Sequence, residues 1–206
     1  MAETARQTNE TWTRIENWLA HHAPRMSAAL CPPAPEATLR RVEHLTGTDL
    51  PPDLAAWWRR RHGLRQPSGP GALFPDSCHP LPLDDALRHQ AVFLETPRRI
   101  CPDTLLDDLE AFLERCAHDP AGTTYPHEAT AVWLPAWIPV AHDTGGAGLF
   151  ADLRPGPRRG CLIRYSRDGH AAEPAWPSLA ALLTHVADHL EAGVRTPLGH
   201  WTVPGP

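Results

Sequence analysis

Lysine is missing from this chain: all 19 basic residues are arginine. That reads as a GC-rich coding bias and says little about mechanism. The basic residues are outnumbered by 24 acidic ones, for a formal net charge of -5 at pH 7, so nothing offers long-range attraction to a phosphate backbone. No nucleic-acid partner is expected. No apolar run approaches the ~18 to 20 residues that a bilayer requires, and residues 1–10 contain no hydrophobic signal region. We therefore expect a cytoplasmic protein with no membrane partner. The cysteines, Cys31, Cys78, Cys101, Cys116 and Cys161, are odd in number and widely spaced, which argues against a disulfide framework. Free, mostly packed thiols are expected. No serine sits in a Gly-x-Ser-x-Gly elbow, and no internal repeat is visible.

Proline is abundant instead, at 24 of 206 residues, and it falls mainly between the apolar-periodic segments, where it stiffens short connections. With 42% apolar residues the chain can fill one core. The expectation is a single domain over 1–206, with an ordered core over about 11–193 and flexible ends at 1–10 and 196–206. Trp12, Ile15, Trp18 and Leu19 recur at helical spacing, predicting a first helix over 10–22. Pro35 opens a second helix carrying Leu39, Val42 and Leu45, which stops near Gly47. Pro51-Pro52-Asp53 opens a third, with Gly63 as its left-handed terminator. Within it Trp57 and Trp58 point about 100° apart, so at most one of them is expected to face the core. Arg59-Arg60-Arg61 complements its C-terminal end. Residues 65–82 read as a loop. Leu83, Leu87, Ala91 and Leu94 mark another helix, and Asp103 is placed to cap a further one bearing Leu109, Phe112, Leu113 and Cys116. Ser178 caps the last helix, where Leu179, Leu182, Leu183, Val186 and Leu190 share a stripe and Gly193 ends it.

The region 131–165 reads as strand. Gly146-Ala147-Gly148-Leu149-Phe150-Ala151 has the letters of a dinucleotide fingerprint, but that motif needs a following helix. Here Asp152-Leu153-Arg154-Pro155-Gly156-Pro157 follows, a turn sequence. The glycines therefore read as turn residues between antiparallel strands. Helices, then strands, then a helix give an α+β fold, with an antiparallel or mixed sheet (hairpin about 136–165) flanked by several helices.

In this order the segments resemble the SUKH superfamily, which includes fungal cell-wall assembly regulators of the Smi/Knr type and many bacterial immunity proteins. The resemblance runs from about Trp12 to Gly193. It rests on Ile15-Glu16-Asn17-Trp18-Leu19, on Pro35 to Leu45, on Leu50-Pro51-Pro52-Asp53-Leu54 with Arg61-His62-Gly63, and most specifically on Trp137-Ile138-Pro139-Val140-Ala141 with its acidic, glycine-rich turn from Asp143 to Gly146. Asp152, Gly160-Cys161-Leu162-Ile163 and the serine-capped last helix complete it. Two departures stand out: Ala147-Gly148 replaces an aspartate that many relatives carry after the turn glycines, and 97–130 is longer than in a minimal member. The second predicts a lineage-specific insertion that carries partner specificity. The resemblance implies a sheet flanked by helices, no established catalytic set, and an intracellular binder, in bacteria often of a toxin domain.

Residue chemistry offers competing readings. His185 and His189 lie four apart on the last helix and could share a metal, yet they flank an apolar stripe where half-buried histidines pack. Cys78-His79 pairs a thiol with an imidazole without a flanking catalytic signature. Asp143 and Asp152 could act as paired carboxylates, and their local use is as acceptors of turn amides. Eight tryptophans suit half-buried edges and interface anchors. We expect a bacterial, non-enzymatic protein-binding module with no catalytic residue, cofactor or metal. Its partner is a protein, with a toxin domain first in line, contacted through Trp58, Trp133, Trp137, Asp143 and Asp152. The alternatives are a regulatory scaffold of the cell-wall regulator type, and a His/Asp hydrolase or metal-binding protein.

Overall fold

In the computed structural model of the protein, which describes residues 2–65, 72–125, 132–143, 145–166, 169–193, 203 and 205, the segments of 3.6-residue apolar period are helices and the hairpin region is strand. The described elements run α1 (Ala2–His22), α2 (Pro24–Ala29), α3 (Glu36–Thr46), α4 (Pro52–Arg60), β1 (His79–Pro80), α5 (Leu83–Ile100), a 3-10 turn (Asp103–Leu105), α6 (Leu106–His118), β2 (Trp137–His142), β3 (Gly148–Asp152), β4 (Leu162–Ser166), β5 (Gly169–His170) and α7 (Leu179–Ala192). The strands form one antiparallel sheet in the order β1-β2-β3-β4-β5, so the fold is α+β.

Alternation along the strands divides the interior in two, because successive side chains leave opposite faces of a pleated sheet. Ile138, Val140, Leu149, Ala151 and Leu162 face one side and join Trp12, Ile15, Leu54, Trp57, Leu183 and Val186 of α1, α4 and α7 in the larger core. Trp137, Phe150, Ile163 and Tyr165 face the other and meet Leu113 and Cys116 of α6, Trp133, and the half-buried Phe93 and Leu94 of α5. A register shift between Pro139 and Ala141 marks a bulge where proline cannot donate to the ladder. Helix α5 serves both cores, placing Leu83, Ala86 and Leu87 in the first and its later turns on the second.

The helix ends follow the expected chemistry in α3 and α7. Gly47 and Gly193 are left-handed C-caps, and Ser178 accepts a hydrogen bond from the Ala181 amide at 3.1 Å. Elsewhere the structure corrects the expectations. Helix α1 begins at Ala2 instead of following a flexible lead, because Thr8 and Thr11 are buried along with the apolar stripe. Gly63 does not terminate α4: the helix ends at Arg60, and Gly63 is needed because a Cβ there would lie 2.2 Å from the Leu81 carbonyl oxygen. Asp103 starts a 3-10 turn and makes no side-chain cap bond. Residues 79–80, read as loop, add the strand β1. Of the tail expected to be flexible, Val203 is buried, and most of the rest lies outside the described residues, as do 126–130 of the long middle segment.

Trp57 and Trp58 are both buried, against the expectation that only one could be. Helix α4 is enclosed on most sides, so its whole run from Asp53 to Trp58 is inside. The Asp53 carboxylate, itself buried, accepts from the Leu54 amide at 3.0 Å and from Ala180 at the start of α7 at 3.1 Å. One carboxylate thus meets the positive ends of two helices.

Candidate functional site

The hairpin turn is built by Asp143. Its Oδ1 accepts from the amides of Gly145 and Ala147, both at 2.8 Å, while its own amide donates to the Ala147 carbonyl. Gly146 takes φ 94°, open to glycine at no steric cost, and Gly145 and Gly146 are exposed. The glycines of the fingerprint-like run therefore turn the chain, and β3 follows instead of a helix.

Asp152 sits at the opposite end of the same ladder, paired with Trp137. It is fully buried and forms an ion pair with Arg154, itself 1% exposed, at 2.7 Å. Its carboxylate also accepts from the Gly122 and Arg154 amides. The guanidinium donates onward to the Cys116 and Thr123 carbonyls, each at 2.7 Å, and to the Tyr125 hydroxyl at 2.9 Å, and it lies over the rings of Trp137 and Tyr125. Burial opposes its charge, and the Asp152 hydrogen bond and charge override burial, so the Arg154 pKa is raised. This node ties the end of α6 and residues 119–125 to the sheet. Sequence reading singled out Asp152 and missed Arg154, whose partner two residues away was the available signal.

These placements change the roles of the expected partner residues. Trp58 is 1% exposed, Trp133 5% and Trp137 0%, so none has a ring free for a partner. Trp58 stacks with Trp57, and Trp137 stacks on Phe150 at 4.5 Å with Trp133 edge-on to both. Asp152 is spent on Arg154. Of the five, Asp143 alone stands at a partly exposed turn. The two aspartates are also not a catalytic pair, since five residues of strand, about 16 Å at ~3.3 Å per residue, separate them.

Cys78 is buried, and burial pushes its thiol up to about 12; His79 is held below the ordinary histidine range by burial and by His142. A protonated thiol is a poor nucleophile. His185 and His189 are half-buried with ring centroids 4.1 Å apart, and the second hydrogen-bonds the first one's carbonyl. Among the described residues no three His, Cys, Asp or Glu side chains gather as a metal site.

Several grooves reach the surface among the described residues. One of about 480 Å³ runs between α1 and α4, floored by Leu50, Pro52 and Ala56 and rimmed by Asn9, Glu43 and Arg59. It lies beside an ion-pair lattice in which Arg60 and Arg61 share Glu16, and Arg59 pairs with Glu36. A second, of about 290 Å³, separates α5 from α6 over Leu94, Leu113 and Leu134, with Arg98 and Glu110 on its rim. Neither was legible beforehand, because each is floored by residues from different elements. Among the described residues no helix is long and apolar enough to cross a membrane.

Comparison with known proteins places this geometry. A stretch of 61 residues is 41% identical to the glucan synthesis regulatory protein of Neurospora crassa, covering 29% of this chain and 12% of that protein. The chain therefore spans only a small part of the curated relative it matches. The family model described as SMI1 / KNR4 family (SUKH-1) matches residues 33–185. That match takes in α3, α4, the whole sheet and the start of α7, and the chain belongs to this family.

Proposed function

We propose that the chain is a non-enzymatic module that binds another protein, and that its first role is immunity, the neutralisation of a toxin domain. The observation that carries this is the α1–α4 groove, an apolar floor bounded by Glu43 and Arg59, the layout of a contact surface with a dry centre and polar rim. The Asp143 turn adds a second exposed, preformed element. Cytoplasmic location belongs to the same reading. The name of the Neurospora relative favours a second one, a scaffold that regulates an enzyme of cell-wall synthesis.

The test is affinity capture of the tagged chain from its host, with mass spectrometry of what is retained, followed by expression of the retained partner alone and with the chain. A stoichiometric partner that arrests growth alone and is harmless with the chain supports immunity. A wall-synthesis enzyme as partner supports the scaffold. Arg59→Ala, on a side chain 53% exposed, is expected to weaken capture about tenfold, ~1.4 kcal/mol, with little change in melting temperature, since an exposed ion pair contributes ~0 to 1 kcal/mol. Recovery of no stoichiometric protein overturns both readings. Trp58 and Trp137 are unsuitable test positions, because truncating them empties a core.

A further inference from the structure

Three histidines from three elements meet where α5 crosses the edge of the sheet. His79 in β1 is the cross-strand partner of His142 in β2, and the His89 ring of α5 stands edge-on to His142 with centroids 5.4 Å apart. His89 also meets Phe93, which lies on Trp133 at 4.4 Å and on Tyr165 at 5.5 Å. All three imidazoles are half-buried. Nδ1 of His79 is enclosed with no hydrogen-bond partner, and among the described residues none of the three rings makes a hydrogen bond.

Neutral rings suit such packing and charged ones do not, because each added proton creates a like charge on a neighbour and a second N–H to satisfy. The surrounding groups offer little relief. Directly after β2, Asp143 is the nearby carboxylate, and its Oδ1 is already held by two turn amides. On α5, Arg88 adds positive charge beside His89 and is itself paired with Asp85. The Cys78 thiol before β1 and the Tyr165 phenol on β4 are both pushed up by burial and stay neutral.

We propose that His79, His89 and His142 form an acid-sensitive latch: proton uptake by the cluster separates the second half of α5, from His89 onward, from the β1–β2 edge, while Leu83, Ala86 and Leu87 stay in the larger core. The next residue of α5, Gln90, is the group that would yield, since it holds the helix to the sheet by donating to the Pro135 and Trp137 carbonyls at 2.8 and 3.2 Å. Burial first, with His142 adding its charge to His79 and His89, holds all three below their ordinary value of 6.5. The latch is therefore closed at neutral pH. Below ~6.5 the opened form takes up protons that the closed form refuses, so opening grows as pH falls.

The test uses the full chain, with ring titration by NMR and amide exchange measured from pH 7.5 to 5. Protection of the α5 amides from His89 onward is expected to fall about tenfold per pH unit for each proton bound, while α7 keeps its protection. The three rings should titrate together with that loss. The double variant His89→Gln, His142→Gln should flatten the slope. If α5 and α7 lose protection in parallel, or the variant keeps the slope, the latch is wrong. Should the double variant fail to fold, the unaltered chain still decides: independent titration of the three rings near ~6.5 overturns the proposal, and joint titration with α5 opening supports it.

Discussion

On the side covered by α1, α4 and α7, the sheet meets mainly leucine, valine and alanine, with Trp12, Trp57 and Trp58 set among them. On the side covered by α5 and α6 it meets Trp133, Trp137, Phe150 and Tyr165 in a smaller cluster, and alongside them sit the buried Asp152–Arg154 pair, His170 and the histidine latch. Aliphatic packing is non-directional and tolerates adjustment. The aromatic side holds the Asp152–Arg154 node, whose satisfaction requires every partner at once, and imidazoles whose packing suits only the neutral ring. We therefore read the first side as the stable frame and the second as the part of the molecule that responds to charge.

The two sides are expected to differ most at Arg154. Arg154→Ala leaves Asp152 charged and unpaired in the interior and is expected to cost about 3 to 5 kcal/mol, measured by urea unfolding. Faster amide exchange should appear first in α6 and residues 119–125. Leu183→Ala, on the aliphatic side, is expected to cost about 2 to 5 kcal/mol and to accelerate exchange throughout; a local pattern there would remove the distinction between the sides. Acid acts on the aromatic side through a further histidine. Burial pushes His170 down to about 4, among the rings of Trp137, Phe150 and Trp133. Between ~6.5 and 4 the unfolded chain binds a proton there that the folded chain does not, so stability falls with pH across that window, by about 3 kcal/mol in all. His170→Phe should remove that part of the acid loss. The smallest effect is at Ser178→Ala, where losing the cap bond to Ala181 is expected to cost ~1 kcal/mol with no preference for either side, read from the melting temperature.

Local signals were legible where one element carries the whole cause. The stripe from Leu179 to Leu190 with its serine cap and terminal glycine, the Gly47 stop and the Asp143 turn each depend on residues within a few positions of one another, and each appears as expected. Position in three dimensions was not legible. Trp57 and Trp58 were separated by helical geometry into one inward and one outward ring, and the enclosure of α4 by its neighbours cancelled that division. Gly63 looks like a helix terminator until the Leu81 backbone is seen against it. Arg154 reads as a turn residue, since the carbonyls that surround it come from Cys116 and Thr123, 38 and 31 residues away. The same reason explains why three of the expected partner contacts, all tryptophans, turned out to be core.

Apolar period, proline placement and capping residues determined the kind of each long element, and motif order determined the family, because those signals are written in neighbouring residues. Which side chains are buried, which charges are paired and which histidines touch was decided only by the tertiary structure, because burial and electrostatics depend on what distant segments bring into contact.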